Sequence, residues 1–274
     1  MRLMFAISAA VLSALSVRAE DARAIIQKSV DLDQLNWLRM KDYTWIARET
    51  ERSLDGSGRV KSESSSEWET VVVYGEPHRR MLKRDNAPLS PDQQRREQEK
   101  LDKAVAKLER ETPEQRERRA AKEEKEREED RKFLREIPDL YDFHLDGEQK
   151  IDGLDTWMIT ATPKPGYRVK RGDAAPLLKI RGKLWIDKAE YQWVRVEAET
   201  TATISWGLFL ARLHPGAKLV FEQTRVNDEI WLPRREFVTG AARLGLVKNI
   251  AMEQELIWKS YRKFQVESKI ISTQ

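Results

Sequence analysis

The sequence contains no cysteine and only three histidines. The lack of cysteine excludes disulfides, thiolate zinc sites and cysteine nucleophiles. His78, His144 and His214 are far apart, and none has a partner at the spacing of metal ligands. No glycine-rich phosphate loop and no G-x-S-x-G nucleophile turn occurs either. We therefore predict a protein that is not an enzyme, with no catalytic residue, metal or cofactor; the alternative is a hydrolase in which two carboxylates meet in an apolar pocket.

Long apolar runs are scarce, and the longest is at the N-terminus. Arg2 is followed by an uncharged stretch from Leu3 to Val17, and then by Val17-Arg18-Ala19. This order is typical of a cleavable secretory signal peptide, and the stretch is short for a membrane span, which needs ~20 residues. We predict a signal peptide over residues 1–19, one domain over residues 20–274 and a periplasmic location. An uncleaved anchor helix is the alternative.

A surplus of positive charge is also lacking. Removal of residues 1–19 takes away Arg2 and Arg18 and no acid, which leaves 48 basic and 46 acidic residues. The most highly charged segment, residues 90–137, contains 15 Lys/Arg and 15 Asp/Glu. Binding to nucleic acid needs excess positive charge that displaces counterions from phosphates. We therefore predict no nucleic-acid partner.

The charged segment has the sequence signals of a helical hairpin. Ser90-Pro-Asp-Gln93 and Thr112-Pro-Glu-Gln115 are both capping boxes with proline at the first helical position. The i,i+4 spacing predicts ion pairs along the second helix, and an apolar cluster follows where the hairpin returns to the body. The predicted pairs are Glu114/Arg118, Glu123/Arg127 and Glu128/Lys132, and the cluster is Phe133, Leu134 and Ile137. The hairpin is either a solvated insertion or a docking surface for an envelope protein partner.

The remaining sequence predicts one amphipathic helix followed mainly by strands. The helix is predicted over residues 21–38, and about nine or ten strands follow in meander order. Short turns such as Asp152-Gly153 and Asn227-Asp228 join neighbouring strands, so the sheet should be antiparallel.

Alternation within the strands predicts one apolar and one polar face. We expect the apolar face to line a cavity for hydrocarbon. The connection that begins at Ser205 is unusually apolar and is predicted to be either a lid on that cavity or part of the core. The candidate lipid-binding residues on the strands are Ile180, Leu184, Ile186, Val194, Val196, Met252 and Leu256, and those of the connection are Trp206, Leu208, Phe209 and Leu210.

Three strand segments carry a family resemblance. Asp155-Thr-Trp-Met-Ile-Thr-Ala-Thr-Pro-Lys164, Gly182-Lys-Leu-Trp-Ile-Asp-Lys188 and Val194-Arg-Val-Glu197 resemble segments of the LolA/LolB/RseB-type periplasmic proteins. The resemblance implies an α+β, mainly β fold: an incomplete antiparallel barrel of about 9–11 strands with an N-terminal helix, here with the charged hairpin as an insertion. It implies a carrier of lipid or lipoprotein acyl chains, with transient contact to a membrane surface. An RseB-like sensor or interaction module is the alternative.

Overall fold

An antiparallel sheet of thirteen strands forms the body of the protein in the computed structural model, which describes residues 21–206, 211–244 and 248–263. Ten strands are long: β1 (Tyr43–Leu54), β2 (Val60–Val73), β3 (Glu76–Arg84), β5 (Tyr141–Ile151), β6 (Leu154–Pro163), β7 (Ile180–Asp187), β8 (Trp193–Thr200), β11 (Lys218–Val226), β12 (Ile230–Leu244) and β13 (Lys248–Lys263). Three are short: β4 (Ala87–Pro88), β9 (Ile204–Trp206) and β10 (Ala211–Leu213). The predicted signal peptide lies outside the described residues.

The sheet is open. Its strand order is β4-β3-β2-β1-β13-β12-β11-β8-β7-β6-β5, with the β9–β10 hairpin attached to β12. Every pairing is antiparallel, and β4 and β5 stand at opposite ends of the sheet without pairing to each other. An open antiparallel sheet with an N-terminal helix and an inserted helical hairpin is consistent with an incomplete barrel, so the predicted fold class is confirmed.

Two-residue turns set the register of the predicted hairpins. Asn227 and Asp228 both have positive φ, at 51° and 56°. Two successive left-handed residues match the right-handed twist of the strands they join. Asp152 and Gly153, at 50° and 88°, repeat this arrangement between β5 and β6.

The first helix fills one half of the concave face. Helix α1 (Ala22–Arg39) begins at Asp21, whose side chain accepts a hydrogen bond from the backbone N–H of Arg23. Ile25, Ile26 and Val30 lie on one stripe and are almost completely buried. They belong to a single apolar cluster with residues from β6, β7 and β8, namely Trp157, Ile159, Ala161, Leu184, Ile186 and Trp193. The predicted amphipathic helix is thus confirmed, and it closes the main core.

The charged segment forms the predicted helical hairpin. Helices α2 (Pro91–Glu109) and α3 (Pro113–Asp130) each begin with a complete capping box, at Ser90 and Thr112. The chain then passes through a 3-10 turn (Lys132–Glu136) into the short helix α4 (Ile137–Leu140), which contains Pro138. Leu134 and Ile137 enter the main core, as predicted for the end that returns to the body.

The ion pairs on the hairpin differ from the predicted ones. Along α3 the described residues form Arg119–Glu123 and Lys122–Glu126 at i,i+4, and none of the three predicted pairs. Arg119 also contacts Glu111 in the α2–α3 connection and Glu76 on β3. Tertiary contacts, rather than spacing along α3, select which charges pair.

Candidate functional site

A cavity of about 590 Å³ lies between helix α3 and the part of the concave face that α1 leaves uncovered. Its floor is mostly apolar and comes from β1, β2 and β13: Trp45, Ala47, Thr70, Val72, Leu256 and Trp258. Its side walls come from the end of α1, with Trp37 and Met40, and from the turn into β3. Its roof is the charged face of α3, with Glu123, Glu126, Arg127 and Asp130. The hairpin, predicted to be a solvated insertion or a docking surface, therefore covers a hydrophobic hollow.

One long side of the roof is attached to α1. The indole Nε1 of Trp37 donates a hydrogen bond to the backbone oxygen of Arg127, at 3.0 Å. Lys41 pairs with Glu124 at 3.1 Å, and both side chains are largely exposed. Exposed ion pairs contribute only ~0–1 kcal/mol, so the half-buried Trp37 contact is the stronger attachment.

The other attachment of the hairpin is centred on Arg119. Its Nε donates to both carboxylate oxygens of Glu111 at 3.1 Å, and Nη1 donates to Glu123 at 3.2 Å. Its Nη2 donates to the backbone oxygen of Tyr74 in the β2–β3 turn, at 3.2 Å. One guanidinium thus joins the α2–α3 connection, α3 and the β2–β3 turn of the sheet.

A tyrosine closes the cavity near the end of α1. Tyr43 is 2% exposed and packs with Met40, Ile230 and Leu232 in a second, smaller apolar cluster. Its hydroxyl donates a hydrogen bond to Glu229. Burial, followed by this contact with Glu229, raises the pKa of Tyr43 to about 12, so the phenol stays neutral over the physiological pH range.

The cavity floor continues along the concave face into β12 and β11. Leu256 on β13 is paired across the sheet with Glu236 on β12, which in turn is paired with Phe221 on β11. Directly paired residues project from the same face. Val196 on β8 follows in the same row. The cavity therefore adjoins a mostly apolar trough that crosses the sheet, with the carboxylate of Glu236 inside it and that of Glu49 on the β1 side of Leu256.

The predicted lining residues on β7 and β8 lie in or beside the filled core. Leu184 and Ile186 are packed beneath α1, and Ile186 has no exposed surface. Val196 is half-buried against the same cluster, and Ile180 is half-buried at the start of β7. Val194 is the extra residue of a bulge between the pairs Trp185–Arg195 and Ile186–Trp193, and it is buried. None of these five lines the cavity under α3.

The predicted residues on β13 lie at or near the cavity. Leu256 forms part of its floor. Met252 is half-buried and precedes it on the same face, opposite Gly240. Trp206 is the last residue of β9, while Leu208, Phe209 and Leu210 lie outside the described residues. A role for any of these residues in lipid binding stays a prediction.

Sequence reasoning missed the aromatic part of the site. Trp37, Tyr43, Trp45 and Trp258 all contribute to the cavity, and none was singled out. Strand alternation places Trp258 on the apolar face, two residues after Leu256, although it was not among the candidate lipid-binding residues. The position of Trp37 depends on α3, which is 90 residues further along the chain.

We also searched residues 21–206, 211–244 and 248–263 for a metal-binding group and for a membrane-spanning helix. These residues contain no group of three or more His, Asp or Glu side chains that could hold a metal ion. None of their helices is both long enough and apolar enough to cross a membrane. A second depression of about 390 Å³ lies on the opposite, charged face of the sheet, over β7 and β8.

Comparison with known proteins finds structural similarity only. No family model matches the sequence, and no curated protein matches it. A structure described as an outer membrane lipoprotein-sorting protein domain from Vibrio parahaemolyticus is 13% identical, with 89% of this chain and 95% of that chain covered and a TM-score of 0.36. A LolA superfamily protein from Nitrosomonas europaea is 12% identical over 92% and 97%, with a TM-score of 0.31. The MucA/MucB complex of Pseudomonas aeruginosa gives 13% identity over 85% and 99%, with a TM-score of 0.23. Because all of these TM-scores are below 0.5, the function has to be inferred from the residues of this chain.

Proposed function

We propose that the protein is an exported carrier that holds a hydrocarbon chain in the cavity beneath helix α3. The observation that carries the proposal is the hollow itself: about 590 Å³, with an apolar and aromatic floor and a helical roof. Binding sites for small molecules have volumes of ~300–1,000 Å³ and mostly apolar walls. Lipid or lipoprotein acyl chains are the proposed cargo, and the periplasm is the proposed location.

The free energy of such binding comes from removing methylene groups from water. Each buried methylene contributes ~0.8 kcal/mol, so an alkyl chain needs a broad apolar surface and few polar groups. The floor supplies that surface through Trp45, Leu256 and Trp258. The charged roof keeps the outside of the protein soluble while its aliphatic stems cover the guest.

Filling the cavity tests the proposal. Ala47 lies on the floor between Trp68 and Trp258, its neighbours across the strands. We expect Ala47→Phe to weaken uptake of an uncharged fluorescent alkyl probe by delipidated protein at least tenfold. Ala120→Phe, the same substitution at an exposed site on α3, should leave uptake unchanged. Thermal unfolding of both variants verifies that they fold.

A second experiment does not depend on any variant. Native mass spectrometry of protein purified from a membrane-containing lysate should show a co-purified lipid, and delipidation should remove the added mass. No probe uptake by wild-type protein, together with no bound lipid, would contradict the proposal.

The alternative, an interaction module that docks a partner through the hairpin, needs a test that preserves the core. Deletion of residues 90–137 would remove Leu134 and Ile137 from the main core, so it would unfold the protein rather than remove a docking surface. Charge reversal at exposed positions such as Glu117 and Lys125 changes only the outer surface. Loss of a co-purifying envelope protein in that variant, with probe uptake intact, would favour the module.

A further inference from the structure

We propose that the trough selects an amphiphile whose polar end is a protonated amine, and that the carboxylate of Glu236 binds this amine. The inference rests on the proposed function, since it names the chemical class of the guest in the same site. Three observations carry it: the position of Glu236, its lack of a partner, and the aromatic walls of the adjoining cavity.

Glu236 lies in the middle of an apolar row. Its neighbours across the sheet are Phe221 on one side and Leu256 on the other, and Val238 follows it on the same face. Leu256 belongs to the cavity floor, and cross-strand neighbours have Cβ atoms ~4.5–5.5 Å apart. A chain that rests on Leu256 therefore brings its end group within reach of this carboxylate.

The carboxylate has no hydrogen bond or ion pair with any residue that the structure describes. Two other acidic residues of the concave side do have partners: Glu49, next to Leu256 on β1, accepts a hydrogen bond from Gln254 at 2.6 Å, and Asp33 pairs with Arg131 at 2.7 Å. A half-buried carboxylate without a partner is costly in an apolar setting. Burial accordingly raises the pKa of Glu236. An ammonium group from a guest would supply the missing counter-charge.

The walls of the cavity also favour cations. Indole and phenol rings attract ammonium groups to their faces, and Trp37, Tyr43, Trp45 and Trp258 all contribute to the cavity. Such rings can contact both an alkyl chain and an organic cation. A carboxylate end group would gain nothing from them and would be repelled by Glu236.

Arg79 on β3 and Arg127 on the roof both line the cavity and are the competing anchors. Arg127 lines the cavity and forms no ion pair with the described residues, so it could receive the carboxylate of a fatty acid. Arg127 is on a helix that faces solvent, whereas Glu236 lies in the floor of the trough. Charge interactions strengthen as the surrounding dielectric falls, so the Glu236 anchor should dominate.

The experiment compares three guests of equal length: decylammonium, decanol and decanoate, each below its micelle concentration, by calorimetry at pH 7.5. We expect decylammonium to bind wild-type protein at least tenfold more tightly than decanol. Glu236→Gln, which preserves side-chain shape, should bring decylammonium to the affinity of decanol and leave decanol within twofold. Glu253→Gln is the control, since Glu253 is on the opposite face and its partner Arg52 keeps a second contact, Glu63.

A pH series on wild-type protein tests the same point without a variant. Affinity for decylammonium should fall on acidification as Glu236 is protonated, while affinity for decanol should not change. Equal binding of the amine and the alcohol, or an amine affinity that survives Glu236→Gln, would overturn the inference and leave the proposed function standing. Tighter binding of decanoate than of the other two guests, if it is lost in Arg127→Gln, would also overturn the inference. Binding of none of the three guests would overturn both.

Discussion

The carboxylate of Asp33 on α1 lies 2.7 Å from the guanidinium of Arg131 at the end of the hairpin. The side chain of Asp33 is 2% exposed and that of Arg131 is 20% exposed. Gln223 on β11 donates to the other carboxylate oxygen at 3.2 Å. The guanidinium also stacks over Trp37, 5.3 Å from its ring. One buried charge thus joins the first helix, the sheet and the roof of the cavity.

The two partners of this pair should respond unequally to substitution. Arg131→Met leaves a buried carboxylate without its counter-charge, and the expected loss is ~3–5 kcal/mol of unfolding free energy. Asp33→Asn leaves a guanidinium that reaches solvent, and the expected loss is about 1–2 kcal/mol. Chemical denaturation of both variants measures the difference. Equal losses would contradict the asymmetry of burial.

The same pair predicts a pH dependence. Burial raises the pKa of Asp33, against the opposing effects of Arg131 and then Gln223. An acid with a raised pKa in the folded state binds more protons there than when unfolded, so its contribution to stability falls as pH rises through the interval between the two values. Arg131→Met removes an opposing effect and should raise the pKa further. The difference in unfolding free energy between wild type and this variant should therefore become smaller as the pH is lowered from 8 to 5.5, as measured by denaturant unfolding. A difference that stays constant would count against this account.

Removal of the Arg119 side chain should loosen the hairpin without unfolding the sheet. Arg119→Met deletes the contacts with Glu111, Glu123 and the backbone of Tyr74. Each hydrogen bond to a charged group contributes at most ~1.5–3 kcal/mol, and partial exposure of these side chains lowers their summed contribution. Because the loss is local, we expect faster amide exchange across α2 and α3. Arg118→Met is the matched control, since Arg118 is exposed and forms no ion pair with the described residues. Exchange that accelerates equally in both variants would show that Arg119 is not the attachment.

Close packing between β7 and β8 should make Gly182 intolerant of a side chain. A Cβ atom there would lie 2.4 Å from the backbone oxygen of Glu197 and 3.3 Å from the Cα of Ala198. Because both contacts are backbone, β8 has to move, and Gly182→Ala should cost ~1–3 kcal/mol of stability. Gly56→Ala, where nothing lies within 4 Å, should change stability by less than about 0.5 kcal/mol. Thermal unfolding compares the two.

Local signals in the sequence were sufficient for most of the fold. Both capping boxes, the first helix and the two-residue turns depend on interactions within a few residues, and each is present in the structure. Strand alternation identified the concave face for the same reason. These features need no knowledge of what lies above the sheet.

The position of the cavity could not be predicted in this way. Which half of the concave face stays open depends on where α1 packs, and Ile25 and Ile26 cover β7 rather than β13. The bulge at Val194 shifts the alternation of β8 by one residue. The hydrogen bond from Trp37 to Arg127 places α3 over β1 and β13, and a contact so distant in sequence leaves no local pattern.

The charged hairpin joins β4 to β5, the two strands at the free margins of the sheet. The gap between those margins is bridged by covalent chain and by side-chain contacts, several of them between charges, instead of a ladder of backbone hydrogen bonds. Dissolved ions weaken exposed charge pairs and leave backbone ladders almost untouched. The gap between β4 and β5 should therefore widen as ionic strength rises, while the spacing of the strands stays the same. A bound guest would then exchange faster at high salt than in dilute buffer.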